Sequence, residues 1–134
     1  MKIFRKYFFL SSIIPLFLFA EIITGGTLSG RSDGTNIIIS WKSDNENDLK
    51  QFVIERKLFN ASSYIDLAIL KPKGNNTFYQ FIDESAFKTS SSVYSYRIRI
   101  EMQNGSTYYT QSFNVAHHVS SVKRTWGSLK AMFR

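Results

Sequence analysis

The hydrophobic residues of this chain fall into short runs of alternating pattern, separated by clusters of turn-forming residues. Ile37, Ile39 and Trp41 alternate with Ile38, Ser40 and Lys42. A period of two built on β-branched residues predicts a half-buried strand. Phe52 and Ile54 alternate with Val53 and Glu55 in the next run, and the polar residues 43–50 between the two runs read as a loop. Residues 64–70 form a third, apolar run that stops at Lys71-Pro72-Lys73-Gly74-Asn75-Asn76, a strong turn signal. Residues 77–82 predict a fourth strand, closed by Asp83-Glu84-Ser85. Tyr94, Tyr96, Ile98 and Ile100 then share one face, and Ser95, Arg97, Arg99 and Glu101 share the other. Asn104-Gly105 predicts a hairpin, because both residues tolerate the positive φ of a type I′ turn. Its partner strand is expected over residues 107–115, with Tyr109, Phe113 and Val115 on one face, and a weaker edge strand is expected at residues 27–29. Strands at short intervals with turn chemistry between them imply an all-β, antiparallel β-sandwich.

Both ends of the chain depart from this pattern. Lys2, Arg5 and Lys6 precede residues 7–20, an uncharged run that closes on Ala20 and is followed by Glu21. That order of parts predicts a secretory signal peptide over residues 1–20. The run is shorter than the roughly 20 residues of a membrane span, and an uncleaved N-terminal anchor is the rival reading. The expected location is therefore outside the cytoplasm: periplasmic, cell-surface or secreted after signal-peptide cleavage. At the other end, Val119, Val122, Trp126, Leu129 and Phe133 recur at helical spacing. Lys123, Lys130 and Arg134 run along one edge of that stripe, and Ser120 or Ser121 is placed to cap the helix. Gly127 costs such a helix about 1 kcal/mol relative to Ala. A helix this short is marginal alone in water, so residues 119–134 form an amphipathic basic tail that needs a surface to fold against: its own sandwich, with Trp126 and Phe133 covering a sheet edge or face, a protein partner, or an anionic membrane surface.

Charge sharpens the distinction between body and tail. The whole chain carries 17 basic and 10 acidic residues, a formal net charge of +7. Without residues 1–20 the balance is 14 to 10, and the surplus is Lys123, Arg124, Lys130 and Arg134. The body is neutral, and no acidic residue follows Glu101. Cysteine is absent, which excludes disulfides, thiolate metal sites and cysteine nucleophiles. About 114 mature residues, rich in aromatics, are enough to bury a core without such staples.

Candidate chemistry in the body is sparse. His117 and His118 are adjacent, so on a strand they point to opposite faces and are poorly placed to share a metal; they read as a polar strand end. Asp44, Glu46, Asp48 and Glu55 have the spacing of calcium ligands, but Leu49 stands where an EF-hand needs Gly, and a solvated acidic loop is the better reading. Asp83 and Glu84 are adjacent, which suits a turn better than a pair of glycosidase carboxylates facing across a cleft. No nucleophile elbow or Gly-rich phosphate loop is present. The expectation is a protein with no catalytic residues, no cofactor and no metal.

Several of these segments resemble a known family. Ile37-Ile38-Ile39-Ser40-Trp41 resembles strand B of a fibronectin type III domain, where a Trp anchors the core. Phe52-Val53-Ile54-Glu55-Arg56 resembles strand C, and Tyr94-Ser95-Tyr96-Arg97-Ile98-Arg99 resembles strand F with its tyrosine corner. The variant it is most similar to occurs in exported Bacteroidetes-type bacterial proteins, with Asp83 and Asn104-Gly105 taking two further positions of its pattern. The resemblance covers about residues 27–116. Lys57-Leu58-Phe59-Asn60 replaces the Gly-containing turn usual there, and residues 59–70 are longer and more apolar than that variant has. It implies an immunoglobulin-like fold that acts by binding, with no common catalytic site to carry over.

Two functions are expected on this basis. The first is an interaction or assembly subunit at the cell envelope, binding a protein partner or an anionic membrane surface through Lys123, Arg124, Trp126, Leu129, Lys130 and Phe133. The second is a carbohydrate-binding or adhesive module using exposed aromatics such as Tyr79 and Tyr108. The export signal argues against nucleic acid as a partner.

Overall fold

The computed structural model describes residues 21–88 and 91–118, together with Trp126 and residues 129–133. The expected signal peptide, Lys123 and Arg124 lie outside the described residues. Eight strands are present among the described residues: β1 (Ser29–Ser32), β2 (Ile37–Lys42), β3 (Leu49–Leu58), β4 (Ile65–Leu70), β5 (Phe78–Asp83), β6 (Ser91–Met102), β7 (Thr107–Tyr109) and β8 (Phe113–His118). They form two antiparallel sheets. One has the order β1-β2-β5; the other has the order β4-β3-β6, with β7 and β8 following each other along the far side of β6. The chain is an all-β sandwich, as its alternating pattern predicts. Among the described residues no helix is long and apolar enough to cross a membrane.

The core forms where the inward positions of the two sheets meet. Ile37, Ile39 and Trp41 of β2 and Tyr79 of β5 face Phe52 and Ile54 of β3 and Tyr94, Tyr96, Ile98 and Ile100 of β6. Trp41 stacks on Tyr79 at 5.1 Å between ring centroids and meets Phe52 edge-on at 5.5 Å. Such ring pairs add to the area that aromatics bury. The N-terminal segment extends the sandwich beyond residue 27, since Ile23 bridges to Ser43 and both Ile22 and Ile23 pack on the core.

The structure corrects the sequence reading at four places. The β6–β7 turn is not type I′: only Gly105 has positive φ, and its N–H donates to the Met102 carbonyl, closing a type I turn followed by a left-handed glycine. The strand expected over residues 107–115 is broken. Tyr109 pairs with Arg99 while Phe113 pairs with Tyr96, so one extra residue lies between β7 and β8 relative to β6. An odd insertion flips the faces, leaving Tyr109 outward while Phe113 and Val115 stay inward. Third, Val53 and Glu55 are outward on β3 yet buried, Glu55 because Arg97 and Arg99 lie across it. Last, Glu46 of the acidic loop is not solvated. It accepts hydrogen bonds from the Tyr79 hydroxyl and the Gly74 N–H (2.7 Å), tying residues 43–48 to residues 71–77.

Candidate functional site

Polar clusters that structure the sandwich have to be separated from surfaces left over for a ligand. At one end Asp83 is a hub. Arg56 (2.6 Å) and the Tyr96 hydroxyl (2.8 Å) both donate to its Oδ2, and the Ser85 hydroxyl donates to Oδ1. Burial opposes ionisation of Asp83, but the hydrogen bonds from Ser85, Tyr96 and Arg56 outweigh it and hold its carboxyl below the usual range. Burial and the same carboxylate push the Tyr96 phenol well up. The opposite end has a smaller counterpart, where burial and Glu46 push Tyr79 up to about 12. On the outer face of β3, β4 and β6, Arg97 lies between the rings of Tyr64 (4.0 Å) and Tyr109 (4.2 Å) while donating to Glu55. Arg99 joins Glu55, Asp66 and Glu101, and its hydrogen bonds to Asp66 first of all hold its charge. These charges are satisfied within the fold and leave little to offer a ligand.

The histidines behave differently from each other. His118 is exposed, whereas His117 is buried against β1, its Nδ1 sharing a 2.6 Å hydrogen bond with the Ser32 hydroxyl. The polar strand end expected here is half correct: the alternation holds, and the inward member belongs to the core. Of the four residues with calcium spacing, Glu46 turns to Tyr79 and Glu55 to the arginines of the opposite face. The turn role expected for Asp83 and Glu84 is met by a 3-10 helix over Glu84–Lys88.

Two of the exposed surfaces among the described residues carry contact residues expected from the sequence. The first is a groove of about 620 Å³ beside the β6–β7 hairpin, with Ile22, Ile100, Met102 and Tyr108 as its apolar lining. Glu21, Asn45, Asn47 and Asp48 form its polar rim, so the rim carries carboxylates and no base. Tyr108, paired with Ile100 across the hairpin, and residues 21–22 from the N-terminal segment line the groove together. Tyr108 is half exposed there, as an aromatic contact residue requires. Tyr79, its expected companion, is 1% exposed between Trp41 and Phe52 and is a core residue, not a binding platform. Sequence reasoning named Tyr108 as an exposed aromatic; it missed Ile22, which packs on the core beside Ile23 and its bridge to Ser43.

The second surface is the tail. Trp126 and residues 129–132 are helical, and Trp126, Leu129, Met132 and Phe133 are all exposed, Phe133 to 87%. Lys130 is exposed beside them, and with Trp126, Leu129 and Phe133 it lines a shallow depression. Of the stripe predicted from spacing, Trp126, Leu129 and Phe133 are exposed rather than packed in the core, and Val119 and Val122 lie outside the described residues. No protein-family model matches this chain, and a search of characterised proteins returns no match.

Proposed function

We propose that this protein is an exported, non-catalytic, fibronectin type III-like module that binds a partner at the cell envelope through its basic amphipathic tail. The observation that carries this reading is the exposure of Trp126, Leu129, Met132 and Phe133 beside Lys130. A short apolar stripe left in water is unstable by itself and acquires its helix by docking, with the cations setting orientation. The residues that carry the family resemblance, Trp41, Phe52, Tyr94 and Tyr96, are all buried, consistent with a core role rather than a contact role. Lys123, Arg124, Trp126, Leu129, Lys130 and Phe133 are the contact residues of this reading. Its test is cell fractionation of the full chain and of a chain ending at His118. The reading expects the full chain in the envelope fraction and the truncated chain in the soluble extracytoplasmic fraction. Identical fractionation of the two would overturn it.

A second reading is favoured by the groove, where Tyr108 offers a ring face beside the amide and carboxylate groups of Asn45, Asn47 and Asp48. That grouping suits an oligosaccharide. It predicts sugar binding that is lost in Tyr108→Ala and unchanged on deleting residues 119–134, read by calorimetry with envelope glycans.

A further inference from the structure

The tail and the β6–β7 groove complement each other. The tail is apolar and basic; the groove is apolar with an acidic rim. Trp126, Leu129 and Phe133 need an apolar recess, and Ile22, Ile100, Met102 and Tyr108 provide one. Lys130 needs carboxylates, and Glu21 and Asp48 stand at the rim, with no charged partner for Asp48 among the described residues. The surplus positive charge of the mature chain lies in the tail alone, so the neutral body offers the tail no other reason to be basic.

The strand pairing bears on whose tail fills whose groove. His118, the last residue of β8, pairs with Ser91 at the start of β6. The groove lies at the other end of the same strand, at Ile100 and Met102. Nine residues of strand separate Ser91 from Ile100, about 30 Å at 3.3 Å per residue. Residues 119–125 lead from His118 to Trp126 and span at most about 29 Å when fully taut. Its own groove is therefore within reach of the tail only when every residue of the lead is fully extended along β6, an ordering cost that docking from a second copy does not carry.

We propose that the tail of one chain docks in the β6–β7 groove of a second copy, an inference that rests on the tail being the contact surface. Because tail and groove lie at opposite ends of the sandwich, the contact is heterologous and head-to-tail. Such contacts propagate unless the rotation closes a ring. The helical segment is short and its interface is small, which places the contact in the weak, concentration-dependent class.

Complementation tests this directly. Among the described residues, every core residue and every residue packed on it lies between Ile22 and Val115, so the chain 21–134 carries all of the described sandwich. Two variants each remove one half of the contact at exposed positions. Trp126→Ala/Phe133→Ala lacks the anchors and keeps the groove; Tyr108→Arg keeps the tail and places a cation at the acidic groove. In sedimentation velocity the unmodified chain self-associates as concentration rises, and each variant alone associates at least about tenfold more weakly. An equimolar mixture of the two variants forms a heterodimer and stops there, because only one intact tail and one intact groove remain. A monomeric unmodified chain up to about 1 mM would overturn the proposal. So would self-association that survives either variant, or a mixture that fails to pair. A monomeric chain that still loses envelope association on tail deletion would retire the second copy as partner while leaving the tail reading intact. Anionic vesicles of phosphatidylglycerol, added to the monomeric chain, would then identify the membrane surface as the occupant.

Discussion

Gly30 has no room for a side chain. A Cβ built there would stand 2.5 Å from a ring carbon of Phe113 and 2.8 Å from a methyl of Val115, where β1 crosses over β8. Gly30→Ala is therefore expected to force the two strands apart and to cost about 1–3 kcal/mol, the usual range for overpacking, read as a lower urea midpoint. His117, on the same seam, makes the fold sensitive to pH. Burial lowers its pKa; Asp33 in the β1–β2 turn and Asp83 on β5 pull the other way, and His118 adds to the lowering. The unfolded chain, whose histidine titrates near 6.5, takes up the proton first as pH falls. The stability tied to neutral His117 is whole above about pH 6.5 and declines from there toward the lower folded pKa. Thermal midpoints should fall between pH 7 and pH 5, with a shallower slope in His117→Gln. Equal slopes in the two proteins would refute that account. That the two histidines face opposite ways was legible from their adjacency. That the inner one meets Ser32, 85 residues earlier in the chain, was not, because no local pattern encodes which strand packs across from it.

Strand elements were the most legible part of this protein, since period-two alternation is a local property, and β2, β3, β5 and β6 lie where it predicts them. What failed were counts and coverings. The extra residue between β7 and β8 lies within Thr110-Gln111-Ser112, three polar residues in succession that already break the alternation; that interruption was the signal available for the flip of Tyr109. The burial of Glu55 had no such signal, because it depends on arginines forty residues away folding across it. This arrangement gives the β3–β6 pair an asymmetric sensitivity to mutation. Glu55→Ala frees two arginines whose side chains remain 29% and 21% exposed and can turn to water, Asp66 or Glu101. Arg97→Ala/Arg99→Ala instead strands a carboxylate that is 4% exposed. Leaving such a charge unpaired costs about 3–5 kcal/mol, so the double arginine variant should lose clearly more urea stability than Glu55→Ala. A larger loss in Glu55→Ala would show that the arginines, not the carboxylate, are the members that need the network. The double variant also removes the cation that spaces Tyr64 from Tyr109, adding to the cost.

At the scale of the whole molecule, the core of the described residues lies between Ile22 and Val115, and Trp126, Leu129, Met132 and Phe133 stand outside it. The tail's anchors are solvent-exposed and the sandwich core closes without them, so a chain ending at His118 should melt within about 2 °C of the full one. That is less than the 4–8 °C that 1 kcal/mol is worth in a domain of this size. The position of the candidate site in sequence was legible because helical spacing and a one-sided charge excess are both local. The groove was not, since its lining comes from four separate segments brought together only by the fold. The division of charge gives a final test of how the tail recognises its partner. If Lys130 and its neighbours in the tail orient docking against carboxylates, association is screened as ionic strength rises, because exposed charges lose their attraction beyond a Debye length of about 10 Å at 0.1 M and 3 Å at 1 M. A contact driven by Trp126 and Phe133 alone would hold or strengthen as sodium sulfate is added, since excluded salts favour apolar burial. Tail-dependent association should therefore weaken between low and moderate sodium chloride and recover in part at high sulfate. A monotonic rise from the lowest salt upward would leave the basic row with no part in recognition, and would point to the apolar stripe as the whole of the interface.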